Sequence, residues 1–157
     1  FGDQNYWEAS YAESNSHAVE EWLAGWKELG RLLEIALFRE TGRTILHAGC
    51  GISVLGEQLY NHGYKVQTSV DISPSAIARM QERNRWKRPE MRWIVADVCK
   101  LRNVFESESF DLVIEKSTLD ALLCHDRFAL MVATFLYEVA KLVSTRGTFI
   151  SISMHGP

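Results

Sequence analysis

Two closely spaced glycines form the most distinctive feature of the sequence. Gly49 and Gly51 lie in the segment HAGCGIS, directly after the apolar run Thr44-Ile45-Leu46. Glycines let the backbone turn tightly and let a ligand lie directly against it. Twenty residues after Gly51, Asp71 follows a second strand-like segment, where an acid can accept hydrogen bonds from both ribose hydroxyls. The loop and the acid together indicate a nucleoside site.

The third residue after Gly51 distinguishes between possible nucleoside cofactors. A dinucleotide-binding loop reads G-x-G-x-x-G, and its third glycine lets helix and strand pack closely beside a pyrophosphate. In this sequence Val54 occupies the position of that third glycine. S-adenosylmethionine has an adenosine and no phosphate, so it fits this loop better than NAD does. We therefore expect S-adenosylmethionine as cofactor and S-adenosylhomocysteine as product. A strand-to-helix turn without a ligand is the structural alternative.

A second acidic position follows the next apolar segment. Asp97 and Val98 end the run that begins at Met91. At a binding edge, Asp97 can accept a hydrogen bond from the adenine amino group, and Val98 can pack against the ring. The alternative for Asp97 is a helix N-cap or a solvated turn.

Strand-like and helix-like segments alternate along the chain. Apolar spacing predicts helices over Val19 to Phe38, from Ser53 to Gly63, from Ser73-Pro74 to before Pro89, and over Phe128 to Leu142. Strands are predicted over Thr44 to Ala48, Tyr64 to Asp71, Met91 to Val98, Phe110 to Glu115 and Thr148 to Ser153. This alternation predicts an α/β fold with a Rossmann-like, doubly wound and mostly parallel sheet, whose ligands bind at the carboxyl ends of the strands.

Composition excludes several classes of function. The 157 residues carry a net charge of −3, so no global basic field indicates nucleic acid or anionic lipid. The basic run Arg83 to Arg92 is interpreted as a solvated helix end rather than an RNA contact. No apolar stretch is long enough for a membrane span. The three cysteines have no metal-ligand spacing, so we expect no metal site and a cytoplasmic location.

Three segments carry a resemblance to a known family: YWEASY (6–11), LHAGCGISVL (46–55) and FDLVIEKSTLDALL (110–123). The chain resembles the class I, seven-strand S-adenosylmethionine-dependent methyltransferases. Within them it is most similar to the elongation factor 1-alpha lysine methyltransferase 4 and methyltransferase-like 13 group. The resemblance implies one domain over residues 1–157, with a lid and helix in 1–43 and a Rossmann-like core in 44–157. It also implies that the C-terminal strands of the family fold are missing from this chain.

The resemblance also implies which residues bind the cofactor. The N-terminal segment folds over it, and the implied binding residues are Trp7, Tyr11, Trp22, Gly49, Gly51, Asp71, Ile72, Asp97, Val98, Glu115 and Lys116. Glu115 could alternatively act as a general base, and Asp120 is assigned to a short helix. No catalytic base is named. Ser117 stands where the family pattern has a glycine, and His47 where many methyltransferases have an acid.

The expected activity is protein-lysine N-methylation, with elongation factor 1-alpha as candidate substrate and no nucleic-acid or membrane partner. A small-molecule methyltransferase is the alternative within the same chemistry. A non-catalytic methyltransferase-like module that binds the cofactor or a partner is the alternative from another class. An NAD-dependent oxidoreductase is disfavoured because of Val54.

Overall fold

The computed structural model describes residues 3–13, 21 and 23–154. The strands in this part of the chain are β1 (Ile45–Ala48), β2 (Gln67–Asp71), β3 (Arg92–Val95), β4 (Phe110–Lys116) and β5 (Val143–Ile152). The helices are α1 (Gln4–Glu13), α2 (Trp26–Ala36), α3 (Leu55–Asn61), α4 (Pro74–Asn84), α5 (Thr118–Leu123) and α6 (Phe128–Leu142), with a 3-10 helix over Val98–Asn103. All strand pairs are parallel, and the order across the sheet is β3-β2-β1-β4-β5.

The sheet is covered by helices on both faces. On one face Leu46 of β1 belongs to a buried cluster with Phe135 of α6. On the other face Ile45 belongs to a cluster with Leu33 of α2 and Leu59 of α3. Successive residues of a strand point to opposite faces, so β1 is apolar on both sides. The predicted doubly wound, parallel α/β fold is confirmed, and the strand order reverses between β1 and β4.

Local signals placed one helix accurately. Ser73 is the N-cap of α4, and its hydroxyl accepts a hydrogen bond from the backbone N–H of Ala76 at 3.1 Å. Pro74 occupies the first helical position, where its fixed φ favours the helix and its missing N–H costs nothing.

The predicted helix Val19 to Phe38 was too long. In the structure it begins at Trp26, because Leu23 has a left-handed φ of 64° and the backbone N–H of Gly25 is bound by the Glu28 carboxylate at 3.1 Å. The apolar spacing extends to residues before Trp26, but such spacing gives no information on the backbone conformation of those residues. Val19 lies outside the described residues.

Three strand boundaries also differ by three residues or more from those predicted. The second strand begins at Gln67 rather than at Tyr64. The side-chain amide of Gln67 donates a hydrogen bond to the backbone carbonyl of Tyr64 at 2.5 Å. The third ends at Val95, since Asp97 caps the following 3-10 helix. The fifth begins at Val143, with a register shift against β4. No helix in the described part of the chain is long and apolar enough to cross a membrane.

Candidate cofactor site

A cavity of about 330 Å³ lies where the carboxyl ends of β1, β2 and β4 meet. This is the place where open parallel sheets bind ligands, and the volume is at the lower end for small-molecule sites. The predicted site residues that line the cavity are Trp7, Tyr11, Gly49, Gly51, Asp71, Ile72, Asp97, Val98 and Lys116. Trp22 lies outside the described residues. Glu115 is not among the lining residues.

Both glycines of the loop after β1 have left-handed backbone conformations. Gly49 has a φ of 69° and Gly51 a φ of 48°. A Cβ atom at Gly49 would overlap the side chain of Thr118, and one at Gly51 would lie 2.5 Å from the hydroxyl of Tyr11. Backbone strain and lack of space therefore both require glycine here.

Asp71 ends β2 and holds the glycine loop. Its Oδ2 accepts a hydrogen bond from the backbone N–H of Gly51 at 2.7 Å, and its Oδ1 accepts one from Ser73 at 2.9 Å. Burial raises the pKa of Asp71, and the hydrogen bonds from Ser73 and Gly51 partly oppose that shift. A carboxylate has about four acceptor positions, so each oxygen keeps capacity for a ribose hydroxyl. The geometry therefore fits an adenosine.

Asp97 is the N-cap of the 3-10 helix and also lines the cavity. Its Oδ1 accepts a hydrogen bond from the backbone N–H of Cys99 at 2.9 Å, which caps the 3-10 helix. The residue also lines the cavity, as do Val98 and Ile72. The cap holds this carboxylate in a cavity that also has apolar lining side chains, a combination that suits a purine ring with an exocyclic amino group.

Helix α1 lies against the cavity and is anchored to α4 by a carboxylate. The rings of Trp7 and Tyr11 stack with centroids 5.8 Å apart, and both line the cavity. Glu8 accepts hydrogen bonds from the hydroxyls of Ser73 and Ser75, each at 2.5 Å. The bond from Ser73, followed by those from Ser75, lowers the pKa of Glu8. Glu8 lies in the segment YWEASY, but its residue type and position there do not indicate a contact with α4.

A second N-terminal carboxylate reaches the glycine loop and β4. Glu21 forms an ion pair with the ammonium of Lys116, whose side chain is 7% exposed. Glu21 also accepts hydrogen bonds from the Ser53 hydroxyl at 2.9 Å and the Val54 N–H at 2.8 Å. Ser53 was predicted to cap α3. The N-cap position is Val54, one residue later, but the Ser53 hydroxyl accepts a hydrogen bond from the backbone N–H of Leu55 at 3.2 Å, while Glu21 binds the backbone N–H of Val54. The charge of Lys116, which would repel a sulfonium, is thereby compensated.

The side chain of Glu115 binds the N-terminus of helix α5. Its buried carboxylate accepts hydrogen bonds from the backbone N–H groups of Thr118 at 2.9 Å and Leu119 at 3.1 Å, and from the hydroxyl of Ser151. Burial raises the pKa of Glu115, and the bond from Ser151 is the main opposing effect. Because these groups surround it, the structure places Glu115 as a cap for α5 rather than at the cavity wall.

A model of a family described as a methyltransferase domain matches residues 39–155. This range includes the glycine loop, Asp71, Asp97 and Lys116. The chain therefore belongs to this methyltransferase family, and its five-stranded parallel sheet is the class I fold that the sequence resembled. The family assignment confirms the predicted class, whose methyl donor is S-adenosylmethionine.

Several curated relatives match almost the whole chain. A bovine protein named eEF1A lysine and N-terminal methyltransferase is 33% identical over 98% of this chain and 22% of its own length. The mouse EEF1A lysine methyltransferase 4 is 37% identical over 97% of this chain and 61% of its own length. The chain thus spans about a fifth of the first relative and about three fifths of the second.

Solved structures share the fold at lower identity. The PH0226 protein of Pyrococcus horikoshii OT3 aligns with a TM-score of 0.72 and 23% identity, covering 96% of this chain and 66% of that one. A Haemonchus contortus phosphoethanolamine N-methyltransferase 1, solved with S-adenosylhomocysteine, aligns with a TM-score of 0.65 and 18% identity, covering 94% and 30%. At these identities the likeness supports the fold alone.

Proposed function

We propose that this chain is the cofactor-binding part of a protein-lysine N-methyltransferase, with translation elongation factor 1-alpha as substrate. The cavity at the carboxyl ends of the strands carries the cofactor half of this proposal, because it brings Gly49, Asp71 and Val98 together around one space. The substrate half is supported by the names of the relatives that match nearly the whole chain. A cytoplasmic location fits such a substrate.

Each group in the cavity has a proposed role. Asp71 accepts hydrogen bonds from the ribose hydroxyls, while Asp97 and Val98 bind the adenine. The backbone at Gly49 lies against the methionine part, and Trp7 and Tyr11 cover the ligand and exclude water. The binding role predicted for Trp22 stays a proposal, as does a cofactor contact by Glu115.

Orientation and desolvation are what this site contributes to the reaction. When bound, S-adenosylmethionine would supply a methyl group to a nucleophile that attacks its carbon in line with the carbon–sulfur bond, and S-adenosylhomocysteine would be the leaving group. A lysine with an ordinary pKa must first lose a proton, which costs about 4 to 5 kcal/mol at neutral pH. The aromatic side chains of α1 shield this space from water and so favour the neutral amine.

Label transfer tests the proposal. The full-length protein is incubated with S-adenosylmethionine labelled in the methyl group and with purified elongation factor 1-alpha, and in parallel with cell extract. We expect label on the elongation factor, carried by a lysine-containing peptide whose mass increases by that of one labelled methyl group less one hydrogen. Label only in the small-molecule fraction would instead support a small-molecule methyltransferase. Binding of S-adenosylhomocysteine without any transfer would support the non-catalytic module.

A further inference from the structure

The cavity extends past β4 into a region that the cofactor residues do not use. The proposed adenosine contacts, Asp71 and Val98, follow β2 and β3, on one side of β1 in the sheet. The other end is lined by Asp120, Ala121, Leu122, Cys124, Met131 and Met154. These side chains are apolar or weakly polar except for one carboxylate. This end is therefore suited to an aliphatic chain that carries a positive charge.

The carboxylate at this end is buried and fixed in position. Asp120 lies in the first turn of α5 and is 7% exposed. Its Oδ1 accepts a hydrogen bond from the hydroxyl of Ser153 at 2.5 Å, and its Oδ2 accepts one from the backbone N–H of Met154 at 3.2 Å. Both donors follow β5, so the carboxylate bridges α5 and β5. A carboxylate has about four acceptor positions in all, and these two donors use two of them.

A second polar group in the same region points to a ligand. Ser117 lines the cavity between β4 and α5, and its left-handed φ of 64° sets the direction of its side chain. Its hydroxyl oxygen is shielded from solvent and has no hydrogen-bond partner within the part of the chain that the structure describes. A buried hydroxyl without a partner is costly, and a ligand in the cavity would remove that cost.

We propose that the α5–β5 end of the cavity binds the side chain of the methyl-accepting lysine, and that Asp120 receives its ammonium group. This inference rests on the proposed function and names the residue that selects the acceptor. The aliphatic part of the lysine packs along Leu122, Met131 and Met154, while the charge of Asp120 holds the nitrogen. Asp120 contributes binding and orientation of the charged nitrogen, which must still lose its proton to water before its lone pair can attack the methyl carbon.

A double comparison of ligand charge and residue charge tests this inference without any protein substrate. The probes are two analogues of S-adenosylhomocysteine in which nitrogen replaces sulfur. One carries a 3-aminopropyl chain and the other a butyl chain of similar length. Calorimetry should show that the wild-type protein prefers the aminopropyl analogue by roughly tenfold, since a charge-assisted hydrogen bond contributes about 1.5 kcal/mol or more. Asp120→Asn should reduce this preference to less than about twofold.

The controls separate a charge effect from a folding effect. Asp126→Asn removes an exposed carboxylate from the turn after α5 and should keep the full preference, as should the conservative Asp120→Glu. Affinity for S-adenosylhomocysteine itself should change little in Asp120→Asn. A wild-type protein without the preference, or a preference that survives in Asp120→Asn, would overturn the inference. Neither readout depends on elongation factor 1-alpha, so failure of the proposed substrate is seen separately.

Discussion

The carboxylate of Glu21 forms an ion pair with the ammonium of Lys116, 95 residues later in the chain. The Lys116 side chain is 7% exposed and lines the cavity, so its charge acts through a region from which water is largely excluded. The pair connects the N-terminal segment to β4 and compensates a cation at the place where we propose that a sulfonium binds.

Glu21→Gln is expected to weaken binding of S-adenosylmethionine more than binding of S-adenosylhomocysteine. Without the carboxylate, the ammonium of Lys116 repels the sulfonium, which only the methyl donor carries. We expect the ratio of the two affinities to fall by about 1 kcal/mol, or roughly fivefold. Calorimetric titration of each ligand measures the ratio.

Two further variants complete this comparison. Glu82→Gln removes an exposed carboxylate of α4 and should leave the ratio unchanged. Adding Lys116→Met to Glu21→Gln should restore the ratio, because the repelling charge is gone. Equal losses for both ligands in Glu21→Gln would mean that Glu21 acts only by holding Ser53 and Val54.

Gly49→Ala is expected to lower the free energy of unfolding by about 2 to 4 kcal/mol and to weaken cofactor binding. The left-handed backbone costs an alanine about 1 to 2 kcal/mol, and the added Cβ displaces Thr118, whose hydroxyl donates to the Ala48 carbonyl at 2.8 Å. Gly42→Ala is the matched control, since a Cβ there meets nothing within 4 Å. Urea unfolding measures both variants, and equal stability of the two would contradict this account of the loop.

Much of this loop could be predicted from the sequence because its requirements are local. Gly49, Gly51 and Asp71 are recognisable from their types, their spacing and the strands that precede them. The contacts of Glu8 and Glu21 could not be predicted in this way, since each is one of several polar residues in its segment and local spacing does not indicate a distant partner. Their roles depend on the helix N-termini that they meet in the folded chain. The burial of Asp120 likewise depends on the end of β5, more than 30 residues later.

His47 should make the protein less stable as the pH falls from neutral. Burial is the main cause that lowers its pKa from 6.5 to about 4. The unfolded chain therefore binds a proton below pH 6.5, whereas the folded chain does not until about pH 4. Stability is lost as the pH falls through this window. We expect a loss of about 1 kcal/mol from this residue between pH 7 and pH 5.5.

The neighbour of His47 defines the variant to test. The Gln67 side chain donates to the carbonyls of Gly56 and Tyr64, so its Oε1 faces Nε2 of His47 at 2.7 Å, and the neutral imidazole must donate. His47→Gln keeps a donor without a titrating group. Urea unfolding of both proteins at the two pH values should show a smaller loss in the variant. Equal losses would contradict the assignment.

Asp71 is the residue proposed to bind the ribose of the cofactor. Its carboxylate holds the Gly51 backbone at 2.7 Å and is proposed to accept two ribose hydroxyls. Because each hydrogen bond to a charged group contributes about 1.5 kcal/mol or more, Asp71→Ala should weaken ligand binding by more than about tenfold. Asp126→Ala, a change at an exposed carboxylate, should not alter it.

Calorimetric titration of S-adenosylhomocysteine into the wild-type protein and Asp71→Ala tests the central claim most directly, with circular dichroism to verify that both are folded. The cavity at the strand ends predicts saturable binding by the wild-type protein and a loss of more than about tenfold in the variant. No binding by the folded wild-type protein, or the same affinity in both proteins, would contradict it.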